Sequence, residues 1–262
     1  MKTTCPLITI VTVTYNAEQT LDRTLQSVER QKYPRIEHLI VDGCSTDNTL
    51  SHVRKYVERN AMPQHNIRIV CEKDKGLYDA MNKAINMAEG DYLVFLNAGD
   101  KLHSDDTIEK LVECIDWEHR GLNPAILYGE TDLVDDEGKF LRHRRLQTPE
   151  TLNSMSFLMG MLVCHQSFYV RTDIARLYPY DMQYRFSADY DWCIRLLKHA
   201  ERRRFRIVNT HLILTDYLSE GLTTKNHRKS LVERFRVMAH HYGTFSAVMA
   251  HLWFVVRAVI KR

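Results

Sequence analysis

Leu7-Ile8-Thr9-Ile10-Val11-Thr12-Val13-Thr14-Tyr15-Asn16 is an unbroken apolar and β-branched run closed by a tyrosine and an asparagine. Such a run without polar alternation is what a strand covered on both faces requires. Asn16 is placed to cap a following helix, with Gln19 at its third position in capping-box fashion. Leu21, Leu25 and Val28 give that helix an apolar stripe. Ile36 to Val41 repeats the strand pattern and ends at Asp42, and a helix from about Asp47 turns Leu50, Val53 and Val57 inward. A third strand follows over Ile67–Cys71. The next helix, Leu77 to Ala88, carries Met81, Ala84 and Ile85, with Gly90 suited to a left-handed C-terminal position. Asp91 to Leu96 is a fourth strand. Strand and helix alternating at this spacing predict a parallel sheet with helices on both faces.

The rest of the chain is less regular. Ala125–Val134 and Lys139–Arg144 flank Asp135-Asp136-Glu137-Gly138 as a hairpin, and Phe186 to His199 reads as a helix with Trp192, Leu196 and Leu197 inward. At 262 residues, against ~100–200 per domain, the chain accommodates one large domain and an appendage. The boundary is placed at 222/223. Hydrophobic residues are 44% and charged residues 26% of the chain, which excludes a disordered tail, a collagen-like repeat and a multispanning membrane protein. From Arg195 to Arg262 there are 14 Lys/Arg and 4 Asp/Glu, a net of +10; residues 1–194 hold 22 and 29, a net of −7. An acidic body with a basic tail suits work beside an anionic surface. The overall +3 gives no reason to expect nucleic acid. The six cysteines form no CxxC pair, and no leader-like segment precedes the first strand, so the expected setting is reducing and cytoplasmic.

Sites in open α/β sheets lie beyond the carboxyl ends of the strands. Those ends carry Tyr15-Asn16, Asp42-Gly43, Glu72 to Gly76, and Asn97-Ala98-Gly99-Asp100. Singly these are ordinary turn residues; together they form a polar rim suited to a nucleotide or a metal. No P-loop, no G-x-G-x-x-G after the first strand and no G-x-S-x-G elbow is present, which weakens the kinase-type and dinucleotide readings and argues against an α/β hydrolase.

The sequence resembles the family-2 glycosyltransferases of GT-A fold over about residues 7–222. The blocks that carry the likeness are Ile10 to Asn16, Leu39-Ile40-Val41-Asp42-Gly43-Cys44-Ser45-Thr46-Asp47, Asp74-Lys75-Gly76-Leu77-Tyr78-Asp79-Ala80-Met81-Asn82, and Ala188-Asp189-Tyr190-Asp191-Trp192. The second is similar to the family's Val-Asp-Asp-Gly-Ser-Thr-Asp, and the last stands where the family has Glu-Asp followed by an aromatic. The resemblance implies transfer of a sugar from a nucleotide-diphosphate donor, a UDP-sugar by expectation, to an acceptor hydroxyl with inversion, of the bacterial polysaccharide-biosynthesis type. It implies Thr14, Tyr15, Asn16, Asp42, Asp74, Lys75, Gly76, Asp79, Asn82 and Asn97 at the donor, with Asp42 accepting a base N–H. It implies Asp189 as the base that deprotonates the acceptor, and Mg²⁺ or Mn²⁺ to neutralise the diphosphate.

The chain departs from the family's Asp-x-Asp-Asp after the fourth strand, having Gly99 at the usual metal carboxylate. Either Asp100 holds the metal with Asn97 nearby, or metal binding is weak and Asp100 is a turn or capping residue. Asp191 rivals Asp189; on a helix they point about 200° apart, and Arg195, four residues on, would pair with Asp191 on the surface and leave Asp189 for the cleft. His165 and Gln166 match the acceptor-side segment, where His165 would meet a phosphate or an acceptor hydroxyl, or else be a buried, satisfied histidine. Tyr217–Thr224 is a candidate closing loop. Two helices are expected in the tail, over His227–Tyr242 and Thr244–Arg262. The second contains His251 and Arg257 and is unsuited to span a bilayer; it would lie at the inner membrane interface, pack on the core, or pair with a second copy. The acceptor is then a saccharide or lipid-linked saccharide. The rival expectations are a non-catalytic nucleotide-sugar binding protein with a degenerate metal motif, and a peripheral membrane adaptor.

Overall fold

A computed structural model of the chain describes residues 5–60, 65–115, 123–219 and 227–260, without the side chains of 227, 228 and 258–260. Its centre is a nine-stranded sheet ordered β3-β2-β1-β4-β8-β6-β9-β5, with β7 on β6. β1 (Ile8–Thr14), β2 (Ile36–Asp42), β3 (Asn66–Cys71) and β4 (Tyr92–Phe95) run parallel, with Thr14 opposite Asp42 and Asp42 opposite Cys71. β5 is Lys101–Leu102, β6 Ile126–Val134, β7 Phe140–His143, β8 Phe168–Arg171 and β9 Ile207–Leu218. β8 runs antiparallel to β4 and β6, and β9 parallel to β6. The predicted alternation holds in the first hundred residues, and the predicted hairpin is β6–β7.

Alternate residues of the central strands serve opposite layers. Val11, Val13, Leu93 and Phe95 face α3 (Leu77–Met87), α5 (Thr172–Leu177) and α6 (Ala188–Arg203). Ile8, Ile10, Tyr92 and Val94 face the layer of α1 (Leu21–Glu29) and α4 (Thr107–Glu113), while Ile40 meets α1 and α2 (Thr49–Arg59). α7 (His227–Tyr242) and α8 (Thr244–Ile260) follow. They add Val237, Met238, Ala247 and Ala250 to the cluster that contains α3 and α6, so the chain on both sides of 222/223 shares one core.

Three local expectations are corrected. Asn16 does not cap a helix: α1 starts at Leu21, and Asn16 takes φ +50, a left-handed angle asparagine tolerates better than most residues. Gly90 is absent from the positive-φ positions; a Cβ there would sit 2.5 Å from Thr9 Oγ1 and 2.7 Å from Thr9 N, so glycine permits close approach to β1. In α2 it is Tyr56 and not Val57 that is buried, because the phenol reaches His38 on β2 at 2.8 Å. Among the described residues no helix is long and apolar enough to cross a membrane.

Candidate active site

Asp42 ends β2 with no exposed surface. Its Oδ2 accepts from Thr14 Oγ1 (2.8 Å) and Ser45 Oγ (2.6 Å), and its Oδ1 from Ser45 N (2.8 Å). Enclosed in this way it anchors the loop after β2. Asn16 works on the same loop: its N–H donates to Ser45 Oγ (2.9 Å) and its Oδ1 accepts from Thr46 N (2.9 Å). What faces outward is Tyr15, 65% exposed. A Cβ on Gly43 would lie 3.3 Å from the Tyr15 ring and 2.5 Å from Asp74 Oδ2, so Gly43 lets that ring and that carboxylate close on the loop backbone.

The Asp74–Asn82 block divides. Asp74 Oδ1 accepts from Gly76 N (2.8 Å), and Gly76 holds φ +115 at the start of α3. Lys75 is exposed beside them. Asp79 and Asn82, expected at the donor, make hydrogen bonds within the fold. Asp79 accepts from Lys75 N (2.9 Å), satisfying a free N–H at the α3 N-terminus. Asn82 clamps the Tyr180 backbone, donating to its carbonyl (3.0 Å) and accepting from its N–H (2.7 Å).

At the first turn of α6, Asp189 stands between two side chains. Tyr78 Oη donates to Asp189 Oδ1 at 3.1 Å, and His165 Nδ1 lies 3.3 Å from Asp189 Oδ2. His165 Nε2 accepts from Asn97 Nδ2 at 3.4 Å, which leaves the ring proton on Nδ1, facing the carboxylate. Three residues predicted in separate segments, Asn97, His165 and Asp189, thus form one chain of contacts. Burial pushes the Asp189 carboxyl up, but His165, the Tyr190 N–H and Arg234 outweigh it and hold it below the usual carboxylate range. Burial and the neighbouring Asp189 charge raise the Tyr78 phenol well above its ordinary value, so it stays a donor. Beneath, Tyr78 stacks on Tyr180 at 5.2 Å and Tyr180 on Trp192 at 4.8 Å, a rigid floor for the carboxylate.

Asp191 points away, as the helical geometry predicts, and pairs with Arg195 at 2.6 Å. The pair is buried and not on the surface, because α7 supplies His241 Nε2 at 2.7 Å from the other oxygen. α7 reaches the site again through Glu233, which accepts from the N–H groups of Arg185 (3.0 Å) and Phe186 (2.6 Å), just ahead of α6. Arg234 lies over the Tyr190 ring at 5.7 Å, its Nε buried without a hydrogen-bond partner. Tyr78 and Arg234 were missed in the sequence. The tyrosine sits inside a motif whose polar residues drew attention, and the arginine sits in a tail read as a separate unit.

The segment after β4 decides the metal question. Gly99 has φ +104, and a Cβ there would lie 2.8 Å from Leu218 Cδ2. Asp100 is buried; its Oδ1 accepts from Leu218 N (2.9 Å) and its Oδ2 from Gln166 Nε2 (2.9 Å). Burial raises its carboxyl to about 6, against the lowering effect of those donors and of His165 and Arg23. Within this segment, Asn97 Oδ1 is a buried oxygen without a partner. One orphaned amide oxygen beside an occupied carboxylate does not fit a divalent ion; Asp100, expected at the metal, ties Gln166 to the end of β9. Gln166 is correspondingly a structural partner. Among the described residues, His103, Asp132 and Asp216 present ligand atoms within 4.8 Å of one another. There Lys101 and His103 already meet Asp216 at 3.0 and 2.7 Å, and His143 meets Asp132 at 2.7 Å, so protein groups occupy the carboxylates. Tyr217 lies on β9, whereas 220–224 of the candidate closing loop fall outside the described residues.

Restoring a carboxylate by Gly99→Asp is expected to destabilise the fold by about 2–3 kcal/mol, from a positive φ imposed on a residue with a Cβ plus the Leu218 collision. Urea unfolding measures it, and an unchanged midpoint would contradict the geometry.

A polar rim at the carboxyl ends of β1, β2 and β4, with a carboxylate at the head of α6, is the arrangement expected of a glycosyltransferase of GT-A fold. The family model for glycosyl transferase family 2 matches residues 9–179, and the chain belongs to that family. It is 31% identical over 193 residues to the PGL/p-HBAD biosynthesis glycosyltransferase of Mycobacterium bovis (strain BCG / Pasteur 1173P2), covering 72% of this chain and 69% of the relative. Staphylococcus aureus TarS 1-349 in complex with UDP superposes with a TM-score of 0.65 at 18% identity, over 89% of this chain and 65% of that one. The chain therefore spans somewhat under two thirds of that protein's crystallised length. Mannosyltransferase PcManGT from Pyrobaculum calidifontis, in complex with GDP-Man and Mn²⁺, gives 0.61 at 17% identity over 98% of this chain and 76% of that one. At such identities the two structures establish the shared fold.

Proposed function

We propose that the chain transfers a glycosyl unit from a nucleoside-diphosphate sugar, a UDP-sugar, to an acceptor hydroxyl in surface polysaccharide or glycolipid synthesis, with inversion. The observation that carries this reading is Asp189, held between Tyr78 and His165 at 18% side-chain exposure. The acceptor oxygen attacks the anomeric carbon from the face opposite the diphosphate. Its proton passes to Asp189, the bond from carbon to phosphate oxygen breaks, and the nucleoside diphosphate leaves. Asn97 fixes the His165 tautomer, and His165 with Tyr78 fixes the carboxylate, so the base meets the acceptor already oriented. Tyr15, Asp74 and Lys75 border the donor cleft, with Gly43 and Gly76 supplying the close backbone. Thr14, Asn16 and Asp42 hold that rim from within. No step is assigned to a metal.

The test is a panel of UDP- and GDP-sugars with mono- and oligosaccharide acceptors, read for released nucleoside diphosphate and for the anomeric configuration of the product. Release with a product of opposite configuration to the donor is expected. Retained configuration would overturn Asp189 as a general base. Nucleotide affinity without release would favour the non-catalytic rival.

A further inference from the structure

α8 is turned the opposite way to a helix that completes a core. At 100° per residue, Phe245, Met249, Leu252, Trp253, Val255 and Val256 fall within an arc of about 160°. All are exposed, Phe245 at 79%, Val255 at 64% and Trp253 at 46%. No polar residue of the described helix lies within that arc. Ala247, Ala250 and the partly buried Phe254 take the protein side. The large apolar residues that remain outward leave a patch of the kind that marks an interaction surface. It is continuous with the 3-10 turn Ser154–Met159: Leu158 and Met159 form one wall of an apolar groove of about 470 Å³, and Phe245, Met249 and Trp253 form the other.

Charge selects the occupant. From Phe235 to Arg262 the sequence holds no Asp or Glu, but has Arg236, Arg257, Lys261 and Arg262. A second copy seated on this face would bring two such cationic sets together with no acid in either. An anionic lipid surface complements them, and a tryptophan among aliphatic residues suits the boundary between headgroups and acyl chains. The helix has 17 residues, about 25 Å at 1.5 Å each, and no described helix is long and apolar enough to cross a bilayer. Docked on such a surface, it would lie in the plane.

We propose that the outer face of α8, with the Leu158–Met159 wall, docks this chain onto an anionic phospholipid bilayer. The same turn leads through residues 160–164 to His165, and Tyr190 Oη donates to the Phe157 carbonyl within it. The docked face is thereby joined to the segment that holds Asp189. Resting on the transferase reading, the acceptor this arrangement serves is one anchored in that bilayer.

The experiment is flotation of the full chain with vesicles of phosphatidylcholine alone and of phosphatidylcholine with phosphatidylglycerol, without donor or acceptor, followed by the change in tryptophan fluorescence that Trp253→Phe removes. Binding at least about tenfold tighter to the anionic vesicles is expected, with a blue shift and with loss in high salt. The variant Phe245→Ser/Leu252→Ser/Val255→Ser should lose vesicle binding while keeping the parent's thermal transition, since all three side chains face solvent. Arg257→Glu/Lys261→Glu should lose the preference for anionic vesicles. Absence of binding to either vesicle, equal binding to both, or a lipid-free dimer that the triple serine variant dissolves would each overturn the proposal. Because no sugar is present, failure here leaves transfer untouched, and an inactive chain that still floats leaves the surface in place.

Discussion

Asp189→Asn is expected to abolish glycosyl transfer, by about 10²–10⁴-fold or more, the usual worth of a positioned base, while nucleotide affinity stays within about twofold. The amide keeps the shape of the carboxylate and an oxygen for the Tyr78 hydroxyl, which approaches Oδ1 at 3.1 Å. It cannot take a proton from the acceptor. Because His165, the Tyr190 N–H and Arg234 keep the native carboxyl below the ordinary range, Asp189 is ionised at neutral pH. Activity should therefore be insensitive to this group near neutrality and fall only in acid, as pH drops through its lowered value. Steady-state rates with nucleotide release as the readout, alongside calorimetric nucleotide binding, separate the two effects. Undiminished turnover would move the base elsewhere.

Two residues on, the same substitution should have the opposite signature. Asp191→Asn is expected to cost about 3 kcal/mol of stability, roughly 6–12 °C for a chain of this size, because it leaves the Arg195 and His241 contacts, 2.6 and 2.7 Å from its oxygens, without a carboxylate. Arg195 retains partial exposure, 23%, which keeps the figure at the lower end for a broken buried pair. Burial pushes this carboxyl up, but His241 and Arg195 together hold it down. A lowered folded value means stability that is complete above the ordinary carboxylate value and is lost as pH falls through the lowered one. The difference in stability between parent and variant should accordingly shrink in acid. Thermal unfolding across pH measures it; a variant as stable as its parent near neutrality would contradict the triad.

The sheet was legible because β1 and β2 are unbroken β-branched runs, and such runs have few places to go except between two helical layers. The positions of Asn97, His165 and Asp189 were legible as residues of the right kind at strand and helix ends. Their contact was not, since it depends on how β4, the 3-10 turn His165–Ser167 and α6 meet in space. The Asp74–Asn82 block shows the converse. Asp79 and Asn82 look like ligand groups in sequence, yet one satisfies a helix terminus and the other clamps the Tyr180 backbone, tasks that short polar side chains perform anywhere. Gly99 reads as a lost metal ligand until φ +104 and Leu218 are seen to require it. The contribution of α7 was hidden because Glu233, Arg234 and His241 sit in a basic stretch whose overall charge says nothing about which face meets α6.

Thermal unfolding of the full chain with a panel of nucleoside diphosphates, in Mn²⁺ and in EDTA, tests the central claim that the strand ends form a nucleotide-sugar site ahead of Asp189. A base-selective rise is predicted, about 5–11 °C at a hundredfold excess over Kd, equivalent to ~2.7 kcal/mol. It should be retained by Asp189→Asn and be the same in either metal condition, since Asp100 is already occupied by Gln166 and Leu218. No rise with any nucleotide would contradict the site, and a rise seen only with Mn²⁺ would contradict the reading of Asp100.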